Sequence, residues 1–321
     1  MAILEVQNLT TYYSTMRGYV RAVEGVDLDV DKREALGLAG ESGCGKTTVA
    51  LSIMKILPVN GRIMGGHILF KGMDITQLDD KEMRENVMWK GISIVFQGAM
   101  NALNPVYTIG EQINEAIRMH EPEVTKKEAE ERAEKLLETV GVEPSRIKNY
   151  PHEFSGGMRQ RAMIAMALAC NPDVVIADEP GTALDVIVQA QVLKLLKDLK
   201  NKLNLAIIMI THDLSLISET CEKIAIMYAG KVVESGDVVS IFKEPLHPYT
   251  QGLIGAFPSI KGERRRMTSI PGFPPDLLDP PSGCRFHPRC QYAMDICKKK
   301  EPTTIDVGGG HRVECFLVEK R

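Results

Sequence analysis

Three glycines, a lysine and two hydroxyl side chains share the eight-residue run Gly40-Glu41-Ser42-Gly43-Cys44-Gly45-Lys46-Thr47, a spacing that suits phosphate. Glycines let successive backbone N–H groups turn inward around phosphate oxygens, and a following helix presents its positive end to the same anion. Lys46 would reach the β and γ phosphates of ATP and the Thr47 hydroxyl would bind Mg2+, with Ser42, Gly43, Cys44, Gly45 and Thr48 completing the cradle. A second reactive pair, Asp178-Glu179, follows the apolar run Val174-Val175-Ile176-Ala177. Such a run buries a strand and delivers carboxylates at its C-terminal end, where α/β sheets place ligands. Asp178 suits the Mg2+ and Glu179 suits the base that polarises attacking water. Taken alone, the first run is also a glycine-rich turn and the second a solvated strand end. The apolar segments flanking both favour nucleotide chemistry.

The elements that must hold these groups are legible as short apolar runs at residues 34–39, 92–96, 174–177 and 205–210, alternating with helical stretches. That alternation predicts an α/β core with a mostly parallel sheet. Residues 1–30 read as an antiparallel β start, and residues 224–233 as a hairpin turning at Ala229-Gly230. Between Gln97 and Ala177 helices dominate: Thr125 and Glu128 have capping-box spacing, Ala129, Ala133, Leu136, Leu137 and Val140 share a face, and Gly141 supplies the stop. A further helix opens at Ser155-Gly156-Gly157 and is expected to run to Cys170, ended by Asn171-Pro172. After about Lys243 prolines punctuate the chain, placing a boundary near residues 245–255.

Phe154-Ser155-Gly156-Gly157-Met158-Arg159-Gln160 resembles the signature sequence of the ATP-binding cassette (ABC) family. The resemblance implies an ABC ATPase core over residues 1–250, with an antiparallel β subdomain and a helical subdomain inserted at about 100–172. It further implies that Gln97 is the Q-loop glutamine, that His212 is the switch histidine and that Asp185, in Ala183-Leu184-Asp185, belongs to the D-loop. Tyr13 stands where the family stacks an aromatic on adenine, with Tyr12 and Tyr19 as rivals. Ser155, Gly156 and Gly157 are expected to cap the γ-phosphate held by a second ABC subunit, itself or a related chain, in a head-to-tail dimer. Met158 replaces the usual signature glutamine, and Gly181 stands where threonine often follows Asp-Glu-Pro.

Residues 244–253 and 283–290 are similar to the C-terminal region of oligopeptide, dipeptide and nickel importer ATPases, and Asn104-Pro105 fits that subfamily. The implied activity is ATP hydrolysis coupled to import of dipeptides or oligopeptides, with two transmembrane permease subunits and, indirectly, an external substrate-binding protein as partners. A nickel importer, a soluble ABC ATPase and a metal or redox sensor are the alternatives. Cys284, Cys290, Cys297 and Cys315 fall in residues 251–321, read as a small irregular metal-binding extension. Four thiolates there suit a 4Fe-4S cluster or Zn2+, with His287 or His311 able to replace one in a zinc site, and reduced structural cysteines as the third option. Cys44, Cys170 and Cys221 are scattered and read as packing residues, with oxidation sensitivity the alternative for Cys44 because a helix N-terminus lowers a thiol pKa.

The 321 residues carry 39 Lys plus Arg against 42 Asp plus Glu, a balance that gives no support for nucleic acid as a partner. No apolar run approaches the roughly 20 residues that cross a bilayer. No charged and apolar leader opens the sequence, so the expected location is cytoplasmic, peripheral on the inner face of the cell membrane. Arg264-Arg265-Arg266 and Lys298-Lys299-Lys300 read as solvated faces.

Overall fold

The computed structural model describes residues 2–98, 102–256 and 270–319. In chain order the strands and helices begin with β1 (Leu4–Thr15), β2 (Gly18–Val30), β3 (Ala35–Ala39), α1 (Lys46–Ile53), β4 (Gly61–Phe70), β5 (Met73–Asp74) and α2 (Asp80–Asn86). Next come β6 (Ile92–Val95), α3 (Ile109–His120), α4 (Lys126–Thr139), α5 (Gly156–Ala167), β7 (Val174–Asp178), α6 (Val186–Leu203) and β8 (Ala206–Thr211). The series ends with α7 (Leu214–Thr220), β9 (Lys223–Tyr228), β10 (Lys231–Asp237), α8 (Val238–Lys243), α9 (Pro248–Gly255), β11 (Ile305–Asp306) and β12 (Arg312–Val313). Two compact units form, one from Met1–Leu4, Asp29–Ala35 and Leu69–Ile210, the other from Glu5–Leu28, Leu36–Ile68 and Thr211–Arg321.

In the first unit β6, β7 and β8 are parallel neighbours, with Ile92 opposite Val174 and Val174 opposite Ala206. All of β7 and β8 is buried, which is why both read as unbroken apolar runs rather than alternating ones. Helices α3, α4 and α5 pack on one another. Thr125 and Glu128 form the expected capping box, and Thr108 with Glu111 forms a second at the start of α3. Gly141 sits at φ 74°, the left-handed stop expected of it. Helix α5 ends at Ala167, short of the expected Cys170. The chain leaves it through a turn in which Asn171 N–H donates to Leu168 O at 3.0 Å, before proline is reached.

In the second unit β3 lies parallel to β9, with Gly37 opposite Ile224, and β9 turns into the antiparallel β10 at Ala229 (φ 49°) and Gly230 (φ 86°). Gly230 suits the left-handed backbone of this turn, whereas Ala229 adopts it despite its Cβ. The other edge of β10 pairs with β12, Glu234 opposite Val313, and β12 pairs with β11. No sustained apolar period announces these two-residue strands of the extension, because their partner supplies the register. Lys298, Lys299 and Lys300 are exposed as expected; Arg264-Arg265-Arg266 lie outside the described residues. No described helix is long and apolar enough to cross a membrane.

A buried carboxylate ties the extension to β10. Glu234 accepts from Leu246 N–H (2.7 Å), His247 N–H (3.0 Å) and His311 Nε2 (2.8 Å). His247 in turn caps α9, its Nδ1 accepting from Tyr249 N–H at 3.0 Å. With 1% of its surface exposed, His247 has its pKa lowered to about 3 by burial. Below the ordinary value of about 6.5 the unfolded chain takes up a proton that the folded chain refuses. The group's stabilising effect is therefore complete above that value and is lost as pH falls towards 3. Urea unfolding of the wild type should show stability falling by up to about 1.4 kcal/mol per pH unit from this residue between roughly pH 6.5 and 3. His247→Asn, which keeps a capping oxygen without the titration, should flatten that part of the slope; an unchanged slope would show that His247 does not set it.

Candidate functional site

Helix α1 opens behind Gly45, which has φ 107° and offers no side-chain cap, whereas α3, α4 and α5 are each capped by a hydroxyl. Uncapped first-turn amides at the end of a helix fit a phosphate. The loop before it is glycine-bound for steric reasons: a Cβ on Gly40 would fall 2.1 Å from Met227 O, and one on Gly45 2.2 Å from Ala22 O. Lys46 is buried, and its Nζ donates to Gly40 O (2.8 Å) and Glu41 O (3.0 Å), so the loop curls around the ammonium. Ser42, Gly43 and Thr47 are exposed and Thr48 is buried. This donor set of ammonium, hydroxyls and amides suits the phosphates of ATP.

Of the three tyrosines weighed for adenine, Tyr13 has the loop-side position. Its hydroxyl lies 3.2 Å from Thr48 Oγ1, and a Cβ on Gly61 would meet its ring at 2.7 Å, so the ring lies against Gly61. Tyr12 instead donates to Glu24 Oε1 at 2.9 Å, with its ring 6.4 Å from that of Tyr19. His212 is exposed between β8 and α7; the next residue, Asp213, caps α7 by accepting from Ser215 N–H at 2.9 Å.

In the first unit Asp178 is buried at the end of β7 and Glu179 follows it with φ 46°, a left-handed conformation uncommon for any residue but glycine. Glu179 is held there by its N–H to Ile210 O at 2.8 Å. Its Oε2 accepts from Gln97 Nε2 (2.7 Å) and Thr182 Oγ1 (2.9 Å). Two residues 82 positions apart in sequence, Gln97 and Glu179, are thereby brought into contact, and a backbone strained at a carboxylate is a recurrent mark of a reactive one.

Ser155 caps α5, its Oγ accepting from Met158 N–H at 3.4 Å, and Gly156 and Gly157 form the first turn. A Cβ on Gly157 would lie 2.5 Å from Val188 Cγ1, so this glycine also permits α5 to approach α6. Asp185 caps α6 through Val188 N–H at 3.0 Å. Gly181, the departure noted in the sequence, has a packing cause: a Cβ there would lie 2.4 Å from Gln189 Cγ.

One sequence expectation needs correction. Among the described residues no group of three or more His, Cys, Asp or Glu is arranged to hold a metal ion, so the 4Fe-4S cluster and the Zn2+ expected at Cys284, Cys290, Cys297 and Cys315 are not supported, nor is a metal-binding extension. All seven cysteines are free. Burial, and to a lesser degree the neighbouring Cys297, Cys315 and Cys290, pushes the Cys284 thiol up to about 12. Burial also raises the Cys290 and Cys315 thiols. Of the candidate replacement ligands, His287 Nδ1 bonds Cys284 O at 2.9 Å and His311 Nε2 bonds Glu234 Oε1 at 2.8 Å. Cys44 is buried, as the packing reading has it, and its burial raises the thiol pKa against the opposing pull of Lys46.

Sequence reasoning assigned no role to Tyr249, Arg285 or Arg289, although all lie in the words quoted from the extension. Arg285 bonds Ala229 O and the Glu24 carboxylate. Arg289 grips both carboxylate oxygens of Glu41, in the phosphate loop, at 2.7 and 3.0 Å, and Tyr249 OH accepts from Glu41 N–H at 3.0 Å. The two arginines stand in the cysteine-bearing word 283–290, and nothing in the word 244–253 singled out Tyr249.

Comparison with known proteins agrees with both halves of this description. The ABC transporter family model matches residues 23–182, and the oligopeptide/dipeptide transporter C-terminal region matches residues 233–297. The chain is 45% identical to the dipeptide transport ATP-binding protein DppD of Bacillus subtilis, covering 99% of this chain and 96% of that protein. It is 46% identical to the oligopeptide transport ATP-binding protein OppD of Escherichia coli, covering 98% and 93%. Among solved structures, a dimeric ATP-binding cassette in a post-hydrolysis state bound to ADP and Pi is similar with a TM-score of 0.64 at 27% identity, over 73% of this chain and 98% of that one.

The buried, proton-retaining state of Cys44 has a direct readout. Iodoacetamide at neutral pH should label Cys44 of the folded chain far more slowly than a free cysteine, and at the ordinary rate once the chain is unfolded in urea; peptide mass mapping distinguishes the two. Rapid labelling of the folded chain at Cys44 would contradict the raised pKa.

Proposed function

The chain belongs to the ATP-binding subunits of ABC transporters and carries their oligopeptide/dipeptide C-terminal region, and on that premise we propose that it is the ATP-hydrolysing, energy-coupling subunit of a membrane importer for dipeptides and oligopeptides. The observation that carries the reading is the conjunction of the glycine-bound, uncapped phosphate loop with a strained, hydrogen-bonded Glu179.

Each group then has a definite task. Lys46 and the amides of residues 43–48 hold the β and γ phosphates, and Tyr13 stacks on adenine. Thr47, Asp178 and Gln97 carry hard oxygen donors of the kind that would hold Mg2+, which would supply positive charge to offset that of the phosphates. Glu179 takes the proton of the attacking water, kept in orientation by the Gln97 amide and the Thr182 hydroxyl. His212 contacts the γ-phosphate.

The working form we propose is a head-to-tail pair, made with a second copy or a related ATPase chain, peripheral to the inner face of the membrane and joined to two permease subunits. In it Ser155, Gly156 and Gly157 of one subunit face the γ-phosphate held by the other. ATP favours the closed pair because it touches both subunits, and hydrolysis removes that preference. Two features support a pairing surface. The similar solved cassette is dimeric, and the turn that leads from Asp185 leaves Val186 81% and Ile187 72% exposed at the start of α6. Apolar side chains this exposed next to the signature helix suit an interface.

Glu179→Gln should lower ATP turnover by at least about 100-fold while leaving ATP affinity intact, measured with the membrane partners present. Turnover at the wild-type rate would remove Glu179 as the base. In the same assembly Val186→Glu should weaken ATP-dependent pairing, read by sedimentation or cross-linking, without lowering the melting temperature. Pairing of unchanged strength would exclude this surface.

A further inference from the structure

Glu41 is joined to its surroundings through every polar group it has. Its N–H donates to the Tyr249 hydroxyl at 3.0 Å, its carbonyl accepts from Lys46 Nζ at 3.0 Å, and its two carboxylate oxygens accept from Arg289 Nη1 at 2.7 Å and Nη2 at 3.0 Å. The carbonyl bond places it in direct contact with the phosphate-binding lysine. The other two tie it to residues from outside the nucleotide-binding motifs, Arg289 lying 248 positions away.

Arg289 is itself rigidly placed. Its side chain is 5% exposed, its Nε donates to Pro271 O at 2.8 Å, and its Nη1 lies 3.4 Å from the Tyr228 hydroxyl. The guanidinium stands 5.6 Å over the Tyr228 ring. Tyr228, Tyr249 and Phe286 pack ring against ring, with the Tyr228 centroid 4.7 Å from Tyr249 and 5.1 Å from Phe286. A planar fork fixed in this way holds a carboxylate in one orientation.

A carboxylate on a loop that receives a polyanion is an electrostatic liability. Left unpaired, Glu41 would repel the incoming phosphates and compete with them for Lys46. We infer that Arg289, supported by Tyr249, is a positioning residue of the phosphate loop: it neutralises and orients Glu41, and through Glu41 it sets where Lys46 can meet ATP. The inference rests on the ATP-binding reading of the loop. The C-terminal extension thereby acts on nucleotide affinity without touching the nucleotide.

The test is a double-mutant cycle on the full-length chain, with MgATP binding followed by titration calorimetry and folding by melting temperature. Arg289→Met should weaken MgATP binding by roughly ten-fold, the scale of one charge-assisted pair. In a Glu41→Gln background, where no carboxylate is left to neutralise, the same change should have little further effect. Arg289→Lys, which keeps the charge and loses the fork, should fall between Met and wild type. An equal loss in both backgrounds, or wild-type affinity accompanied only by a lower melting temperature, would overturn the inference. If Arg289→Met does not fold, Arg289→Lys with and without Glu41→Gln gives the same comparison. A wild-type chain that binds no MgATP would overturn the ATP reading itself, and the inference with it.

Discussion

Two backbone carbonyls, those of Ala22 and Met227, close over the phosphate loop at distances that exclude a side chain at Gly45 and Gly40. The loop can stay there only if the strands carrying those carbonyls stay where they are. They are held on several sides: Gly230 N–H donates to Cys44 O, Glu24 N–H donates to Gly230 O, and Arg285 reaches from the extension to Ala229 O and Glu24. A backbone that binds phosphate with its own amides has few side chains with which to brace itself. The bracing has to come from neighbouring strands and, in this chain, from arginines of a segment remote in sequence.

The residues proposed for hydrolysis meet the same need differently. Glu179 occupies left-handed backbone, which costs energy for any residue with a Cβ, and the cost is offset by the buried strand before it and by its hydrogen bonds. Glycines nearby are used for proximity instead of flexibility. Gly157 and Gly181 each stand where a Cβ would press on α6, so the signature turn and the segment after Glu179 are both packed against one helix.

Local spacing announced what local physics decides. Apolar runs at β6, β7 and β8, the Thr125–Glu128 capping box and the Ala229-Gly230 turn are all set by neighbours within a few residues, and the structure has each of them. What the sequence hid are pairings between distant segments. The two-residue strands β11 and β12 have no periodicity of their own, and the Arg289 to Glu41 fork joins residues no short window contains. The metal expected at the cysteines is a related case: count and spacing describe ligands in the abstract, while whether the side chains converge depends on the fold, and among the described residues no such group is found. Cys44 shows two local rules in conflict, since a helix N-terminus lowers a thiol pKa and burial raises it; only the packing reveals that burial prevails.

The pairing of β12 with the outer edge of β10 has a consequence for biosynthesis. Strand β10 leaves the ribosome well before residues 305–313, and until they emerge it presents a row of unpaired amides and carbonyls. During that interval a nascent chain is most exposed to edge-to-edge association with its neighbours. Residues 312–313 then cover that edge at Glu234 and Ser235, so the pairing blunts β10 part-way along its length.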